Sequence, residues 1–144
     1  MALRRYPRIN DISTDFEQPP RFVQVPPRRP EYDAARLRAP TEQAYGELRN
    51  LALPIPPAQA WQRVVSLMRQ RRWRIVAQDE ASLRVQAVSI TPVLRFRDDV
   101  VVEVRPADSG SVVAMRSKSR LGRGDLGANA ARIRAFWQDL QRNA

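Results

Sequence analysis

The stretch LRFRDDVVVEVRPADSGSVVAMRSKS, Leu94 to Ser119, decides the fold. It reads as two strands, Leu94–Val104 and Ser111–Ser119, with Pro106 to Gly110 as the turn between them. A connection this short excludes a crossover, so the pair is antiparallel. Working toward the N-terminus, Leu83, Val85 and Ala87 alternate with Arg84 and Gln86, and Trp73, Ile75 and Ala77 alternate with Arg74 and Val76. Asp79 to Ser82 supply the turn of that hairpin. Before it, Trp61, Val64, Val65 and Met68 recur at i, i+3, i+4 and i+7, the stripe of a helix with one buried face. Pro57 suits the first turn of that helix, and Arg69, Arg71 and Arg72 suit its negative end. After the last strand, Ala130, Ile133, Phe136, Trp137 and Leu140 line one face of a second helix over Gly127 to Asn143. This order, with short connections, predicts an α+β domain over residues 57–144. Its expected form is a two-layer sandwich: an antiparallel sheet of four or five strands with two helices packed on one face.

Residues 1–56 carry most of the 12 prolines, including Pro19-Pro20, Pro26-Pro27 and the pair Pro54 and Pro56. Proline removes backbone donors and biases its predecessor toward extended geometry, so this part is expected to be an extended arm. A short helix is expected near Thr41 to Leu51, and Leu51 to Leu53 are candidates for an added strand. Ile9, Ile12, Phe16, Phe22, Val23 and Val25 are apolar enough to lie along a core, which leaves a packed strap and a partner-binding tail both open.

The chain of 144 residues has 25 basic and 15 acidic side chains, a formal charge of +10, and Lys118 as its sole lysine. Arginine suits planar anions bound in a fork, although genome base composition also enriches it. With no cysteine and no histidine, the sequence lacks thiol nucleophiles, imidazole bases and the commonest zinc ligands. Any metal would have to be a hard cation held by oxygen, and no metal ligand or cofactor is assigned from the sequence. There is no apolar run long enough for a membrane span. The tryptophans fall where the core claims them, so specific nucleic-acid recognition is not expected, while contact with phosphate groups or an anionic surface remains open.

Asp98 and Asp99 are adjacent within a strand, and neighbouring strand residues point to opposite faces. They therefore make a poor acid/base dyad, and the expectation is structural: a salt bridge to an arginine of a neighbouring strand or of the next connection. That connection, Arg116 to Asn129, joins the last strand to the last helix. Arg116, Lys118 and Arg120 fall on one strand face and Ser117 and Ser119 on the other, ahead of Gly122, Arg123, Gly124, Asp125 and Gly127. Glycines permit close backbone approach and a helix N-terminus offers free amides, so an anion could bind here. The run fits neither a nucleotide P-loop nor a dinucleotide fingerprint, since it follows an antiparallel strand. The structural reading is that Asp125 caps the helix or its loop, Asn129 bonds within the first turn and the glycines turn the chain. The ligand-binding reading takes Arg116, Ser117, Ser119, Arg120, Arg123, Asp125 and Asn129 as its candidates, with no catalytic residue assigned.

Four phrases resemble the bacterial and plastid family catalogued as domain of unknown function 1499: INDISTDFEQPPRF (Ile9 to Phe22), RRWRIVAQDE (Arg71 to Glu80), RFRDDVVVEV (Arg95 to Val104) and RSKSRLGRGDLGANAARIRAF (Arg116 to Phe136). The family's motif residues correspond to Asp11, Thr14, Asp15, Pro19, Pro20, Asp98, Asp99, Arg116, Ser117, Ser119, Arg120, Gly122, Asp125, Gly127, Asn129 and Arg132, and this correspondence adds Arg132 to the candidate site. The resemblance implies no established activity. It does imply an envelope setting, because members resemble proteins in which a hydrophobic N-terminal portion precedes the domain. This sequence starts close to the INDISTD phrase, so a free soluble form and a form lacking its membrane part are both open.

The expected function is that of a non-catalytic binding or assembly module at the cell envelope, on its periplasmic side. The junction at 116–129 would meet an anionic ligand, an anionic surface or a partner protein. Two alternatives stand beside it: a hydrolase or lyase using Asp98, Asp99 or Asp125, and a structural subunit of a larger complex.

Overall fold

The computed structural model describes residues 6–24 and 31–142. Val25, Pro26 and Pro27, named above as part of the arm, lie outside the described residues, as does Asn143. The chain order is β1 (Asp11–Ser13), α1 (Ala34–Tyr45), β2 (Leu51–Leu53), α2 (Pro57–Gln70), β3 (Arg74–Asp79), β4 (Arg84–Ile90), β5 (Arg97–Ala107), β6 (Gly110–Ser119) and α3 (Ala128–Arg142). This is an α+β fold with one open antiparallel sheet. The sheet has six strands rather than four or five, with β2 at the candidate strand Leu51–Leu53, and the helix beyond the two of the 57–144 domain is α1, in the N-terminal part where a short helix is expected.

Strand β6 organises the sheet. One edge pairs with β5 along its whole length, from Ala107↔Gly110 to Asp98↔Ser119. The other edge takes two short strands from the N-terminal part: β2 against Ser111–Val113 and β1 against Arg116–Lys118. Beyond β5 lie β4 and then β3, and a bulge near Val76 shifts the β3 register between Ile75 and Ala77.

Alternate residues Val85, Ala87, Val100, Val102, Val104, Val113 and Met115 join the core with Val64 and Met68 of α2 and Ile133, Phe136 and Leu140 of α3. The helical stripes read from the sequence face the core, with Trp61 at the start of α2 only partly buried against it. Arg71, just past α2, bonds to Asp139 of α3 at 2.6 Å and lies over the rings of Trp73 and Phe136, tying the two helices at their ends. Val101, between two core residues, is also fully buried. A strand with consecutive buried valines is covered on both sides.

Residues Asp15 to Gln24 meet that other side. Gln86 exchanges bonds with the backbone of Gln24, Arg84 donates to the carbonyl of Arg21, and Arg105 donates to the carbonyl of Gln18. The proline-rich stretch is thus held by side chains that reach its carbonyls, as suits a segment with few amide donors of its own.

Two boundaries differ from the sequence expectation for local reasons. Helix α1 starts at Ala34 rather than near Thr41, because Asp33 caps it through the Arg36 amide and Pro40 is accommodated inside it. Proline in a helix interior sacrifices a hydrogen bond, which is why its presence reads as a stop. Strand β5 starts at Arg97 rather than Leu94, because Thr91 closes a tight loop: its amide donates to the Phe96 carbonyl, its hydroxyl accepts from the Phe96 amide, and its carbonyl accepts from Arg95. At the far end β5 carries Pro106 within it, and the turn contracts to Asp108 and Ser109.

Gly110 opens β6 at φ +143°, where a Cβ would lie 2.3 Å from the Leu53 carbonyl oxygen and 2.8 Å from the Ile55 amide nitrogen. Replacing it with alanine should destabilise the protein by at least about 2 kcal/mol in chemical denaturation, since backbone rather than a flexible side chain must give way.

Asp15 anchors the N-terminal segment by accepting from the amides of Glu17 and Gln18 and from Asn50 and Arg105. Burial alone would raise its pKa, but the bonds from Gln18, Asn50 and Arg105 outweigh it and hold the carboxyl below its ordinary 3.8. A depressed folded pKa gives stability that is complete above the unfolded value and is lost as pH falls through the folded one. Asp15→Asn should therefore be less stable than the parent at neutral pH, and in acid titrations followed by circular dichroism the gap should close below pH 3.8.

Candidate functional site

The end of β6, the connection after it and the first turn of α3 bring together most of the residues singled out from the sequence. They fall into three groups, separated by the sheet itself.

On the helix side, Asn129 is fully buried at the start of α3. Its carbonyl oxygen accepts from the Ser117 hydroxyl at 2.6 Å and from Arg132 at 2.9 Å, and its amide donates to the Ser119 hydroxyl at 2.9 Å and to Asp125 at 2.7 Å. Asp125 also accepts from the backbone amides of Gly127 and Asn129, which caps the incoming helix. Arg132, one turn further on, donates to Ser117 and forms an ion pair with Asp98 at 2.7 Å. The partner of Asp98 thus comes from α3, not from a neighbouring strand. Serine occurs on β6 where the core residues Val113 and Met115 would continue the alternation, and this is where the core gives way to a hydrogen-bonded cluster.

On the opposite side, Arg116 is 2% exposed and grips Asp11 with two bonds, Nε to Oδ1 at 2.9 Å and Nη2 to Oδ2 at 2.7 Å. The guanidinium lies 4.7 Å from the centre of the Phe22 ring and 5.4 Å from that of Tyr32. Burial pushes the Tyr32 hydroxyl up to about 12, so that ring offers a π face and no countercharge. Arg120 holds Asp99 in the same two-bond manner at 2.9 and 3.0 Å, and this bonding raises the arginine's own pKa. Asp98 and Asp99 therefore do face opposite ways, each onto a different arginine.

The third group is the outer rim. Arg123 is exposed and has no ion pair among the described residues, and Leu121, Gly122 and Gly124 beside it are exposed as well. Gly127, at φ +80°, packs so closely on Tyr6 that a Cβ would come within 2.6 Å of its ring. Beside that contact an open cleft of about 680 Å³ is bordered by Tyr6, Tyr45, Glu47, Gly127, Ala131 and Arg134. Arg134 and Glu47 form an ion pair at its margin, and the buried Tyr45 hydroxyl has no hydrogen-bond partner among the described residues. Burial, followed by the negative charge of Asp125, raises the Tyr45 pKa.

The candidates thus separate. Ser117, Ser119, Asp125, Asn129 and Arg132 are joined in one internal network, Arg116 and Arg120 are tied to carboxylates, and Arg123 faces outward. Sequence reasoning did not single out Asp11 as the partner of Arg116. The one signal was its place in the INDISTD phrase, since ion pairing between residues so far apart in the chain leaves no periodicity. Among the described residues no set of three His, Cys, Asp or Glu side chains is arranged to hold a metal ion, and no helix is long and apolar enough to cross a membrane.

Removing one partner of a buried ion pair strands the other charge. Asp11→Ala should cost about 3–5 kcal/mol in urea denaturation, and Asp11→Ala combined with Arg116→Met should cost less than the sum of the two single changes. Equal additivity of the two would show that the pair is not coupled.

No curated protein matches the sequence. A family profile does, from Asp11 in β1 to Leu140 in α3, so that it spans both the Asp11–Arg116 pair and the Asn129 network. The chain therefore belongs to the family described as protein of unknown function DUF1499, matched over residues 11–140.

Proposed function

We propose that this chain is a non-catalytic binding module that meets an anionic group through the outer rim of the 116–129 junction. The supporting observation is the contrast within the junction. Arg116, Arg120 and Arg132 each neutralise a buried aspartate, whereas Arg123 projects from a glycine-flanked loop with its charge unmatched by a carboxylate among the described residues. The internal network holds that loop ahead of α3, where the Arg123 guanidinium offers a fork of donors to an anion. In this reading the helices form the second layer of a two-layer sandwich and the proline-rich stretch straps its other face, so that the rim is carried on a rigid frame. An envelope setting follows from the family resemblance.

The aspartate-dependent hydrolase or lyase has less to stand on. Asp98 and Asp99 are held by Arg132 and Arg120, and Asp125 accepts from two backbone amides and a side-chain amide, so none is poised as a base.

Titration of the chain with inorganic phosphate and glycerol phosphate, read by the side-chain N–H signals of arginine, tests the reading. Arg123 and the amides of Gly122 and Gly124 should shift saturably, with Kd on the order of 1 mM as befits one guanidinium and a few amides. The signals of Arg116 and Arg132 should stay in place, and Arg123→Ala should abolish the response. Absence of a saturable shift, or an unchanged one in Arg123→Ala, would remove the proposal.

A further inference from the structure

Among the described residues, every large apolar side chain that is exposed lies at one end of the sheet. Ile90 ends β4, Val93, Leu94 and Phe96 belong to the β4–β5 loop, Leu121 and Leu126 to the β6–α3 connection, and Tyr6 packs on Gly127 beside them. The two loops are adjacent: Asp98 pairs with Ser119 across the strands, and the Arg120 amide donates to the Arg97 carbonyl at 3.1 Å. Val93 is 89% exposed, Leu126 80% and Leu94 71%, values for side chains projecting from loops rather than resting in a groove. Scattered exposed leucines need no explanation, but a cluster confined to one end does.

The backbone sharpens the point. Leu126 is held at φ +52° and Arg95 at φ +55°, a region that favours glycine or asparagine over a branched apolar residue. Leu126 therefore gains neither core packing nor backbone comfort where it stands. Around these side chains are Arg8, Arg95, Arg97 and Arg123, all exposed, with the Arg8 backbone so near Gly124 that a Cβ there would lie 3.6 Å from the Arg8 Cα. Of the nearby carboxylates, Asp98 and Asp99 are buried in ion pairs and Asp125 is engaged in its turn. The end of the sheet is thus a group of protruding apolar tips within a ring of positive charge.

We infer that this end of the sheet docks onto an anionic lipid surface, with Val93, Leu94, Leu121 and Leu126 entering the interface and the arginines meeting lipid phosphates. The inference rests on the binding-module reading and deepens it: the anion that Arg123 meets is a headgroup. Charge complementarity and the form of the patch select the occupant. Apolar loop tips gain by leaving water, arginine stems lie along the apolar zone while their heads stay with the phosphates, and neither contact requires a partner of matching shape. Tyr6, partly exposed at the margin, has the amphipathic ring suited to the headgroup level.

Co-sedimentation of the full chain with phosphatidylcholine vesicles, with and without an equal share of phosphatidylglycerol, tests the inference. The parent should partition onto the anionic vesicles, less so at high salt, and weakly onto the neutral ones. Val93→Asp with Leu94→Asp should lower the partition coefficient at least about tenfold. Leu126→Asn should also weaken binding while leaving the thermal midpoint equal or higher, because asparagine tolerates positive φ; this variant keeps a loss of binding distinct from a loss of folding. Failure of the parent to bind anionic vesicles overturns the lipid assignment, and so does undiminished binding by both variants. If glycerol phosphate still shifts Arg123 in that event, the binding-module reading survives alone, and if it does not, both fall. If the parent instead self-associates in sedimentation velocity and the Val93, Leu94 variant does not, the surface belongs to a second copy of the chain and the lipid inference is overturned.

Discussion

A guanidinium with 2% of its surface in contact with solvent must be neutralised where it lies, and for Arg116 this is done by Asp11, from the far end of the chain. The requirement places β1 on the free edge of β6, in the register that sets Asp11 opposite Lys118 and Ser13 opposite Arg116. Once β1 is there, Thr14 exchanges bonds with the Met115 backbone and donates to Asn50, and Asp15 receives Asn50 and Arg105. Phe22 and Tyr32 then close over the same guanidinium. One buried charge thus organises how the N-terminal part meets the sheet.

The same logic applies at the start of β5. Two adjacent aspartates leave the strand on opposite faces and both are buried, so each needs its own cation. Arg132 reaches Asp98 from α3 and Arg120 reaches Asp99 from the end of β6. Buried pairs of this kind are weak sources of net stability against an apolar alternative, yet each is costly to break singly. What they supply is position: α3 is fixed over the sheet by Arg132 and Asn129 together, and the loop between β6 and α3 is pinned at both ends. That leaves only its outer residues free to meet anything else. A rim on which Arg123 has no ion pair among the described residues and Leu121 and Leu126 are exposed, next to the apolar β4–β5 loop, is the outcome.

Much of this was legible in the chain. The stripes of α2 and α3 follow from helical spacing, and the strands from alternation, since burial of one face imposes those periods regardless of what covers it. The opposite orientation of Asp98 and Asp99 follows from the pleat alone. What the spacing missed was local: Asp33 caps a helix that begins at Ala34, ahead of Thr41, and runs through Pro40, and Leu94 and Phe96 alternate as if in a strand although Thr91 folds them into a loop. Their exposure was invisible for the same reason, because apolar residues at spacing two look buried until a turn removes them from the sheet.

By itself, then, the sequence determined the α+β class, the helical and strand faces that form the core, and the polar character of the connection from Arg116 to Asn129. The tertiary structure decided which arginine meets which aspartate, that the proline-rich part contributes β1 and lays it with β2 along the free edge of β6, and that the apolar loop tips gather at one end of the sheet. The division has a physical cause. Periodicity records how each segment faces a neighbour, whereas desolvated charges are paired by proximity in space, and residues 11 and 116 become neighbours only after β1 has been laid along β6.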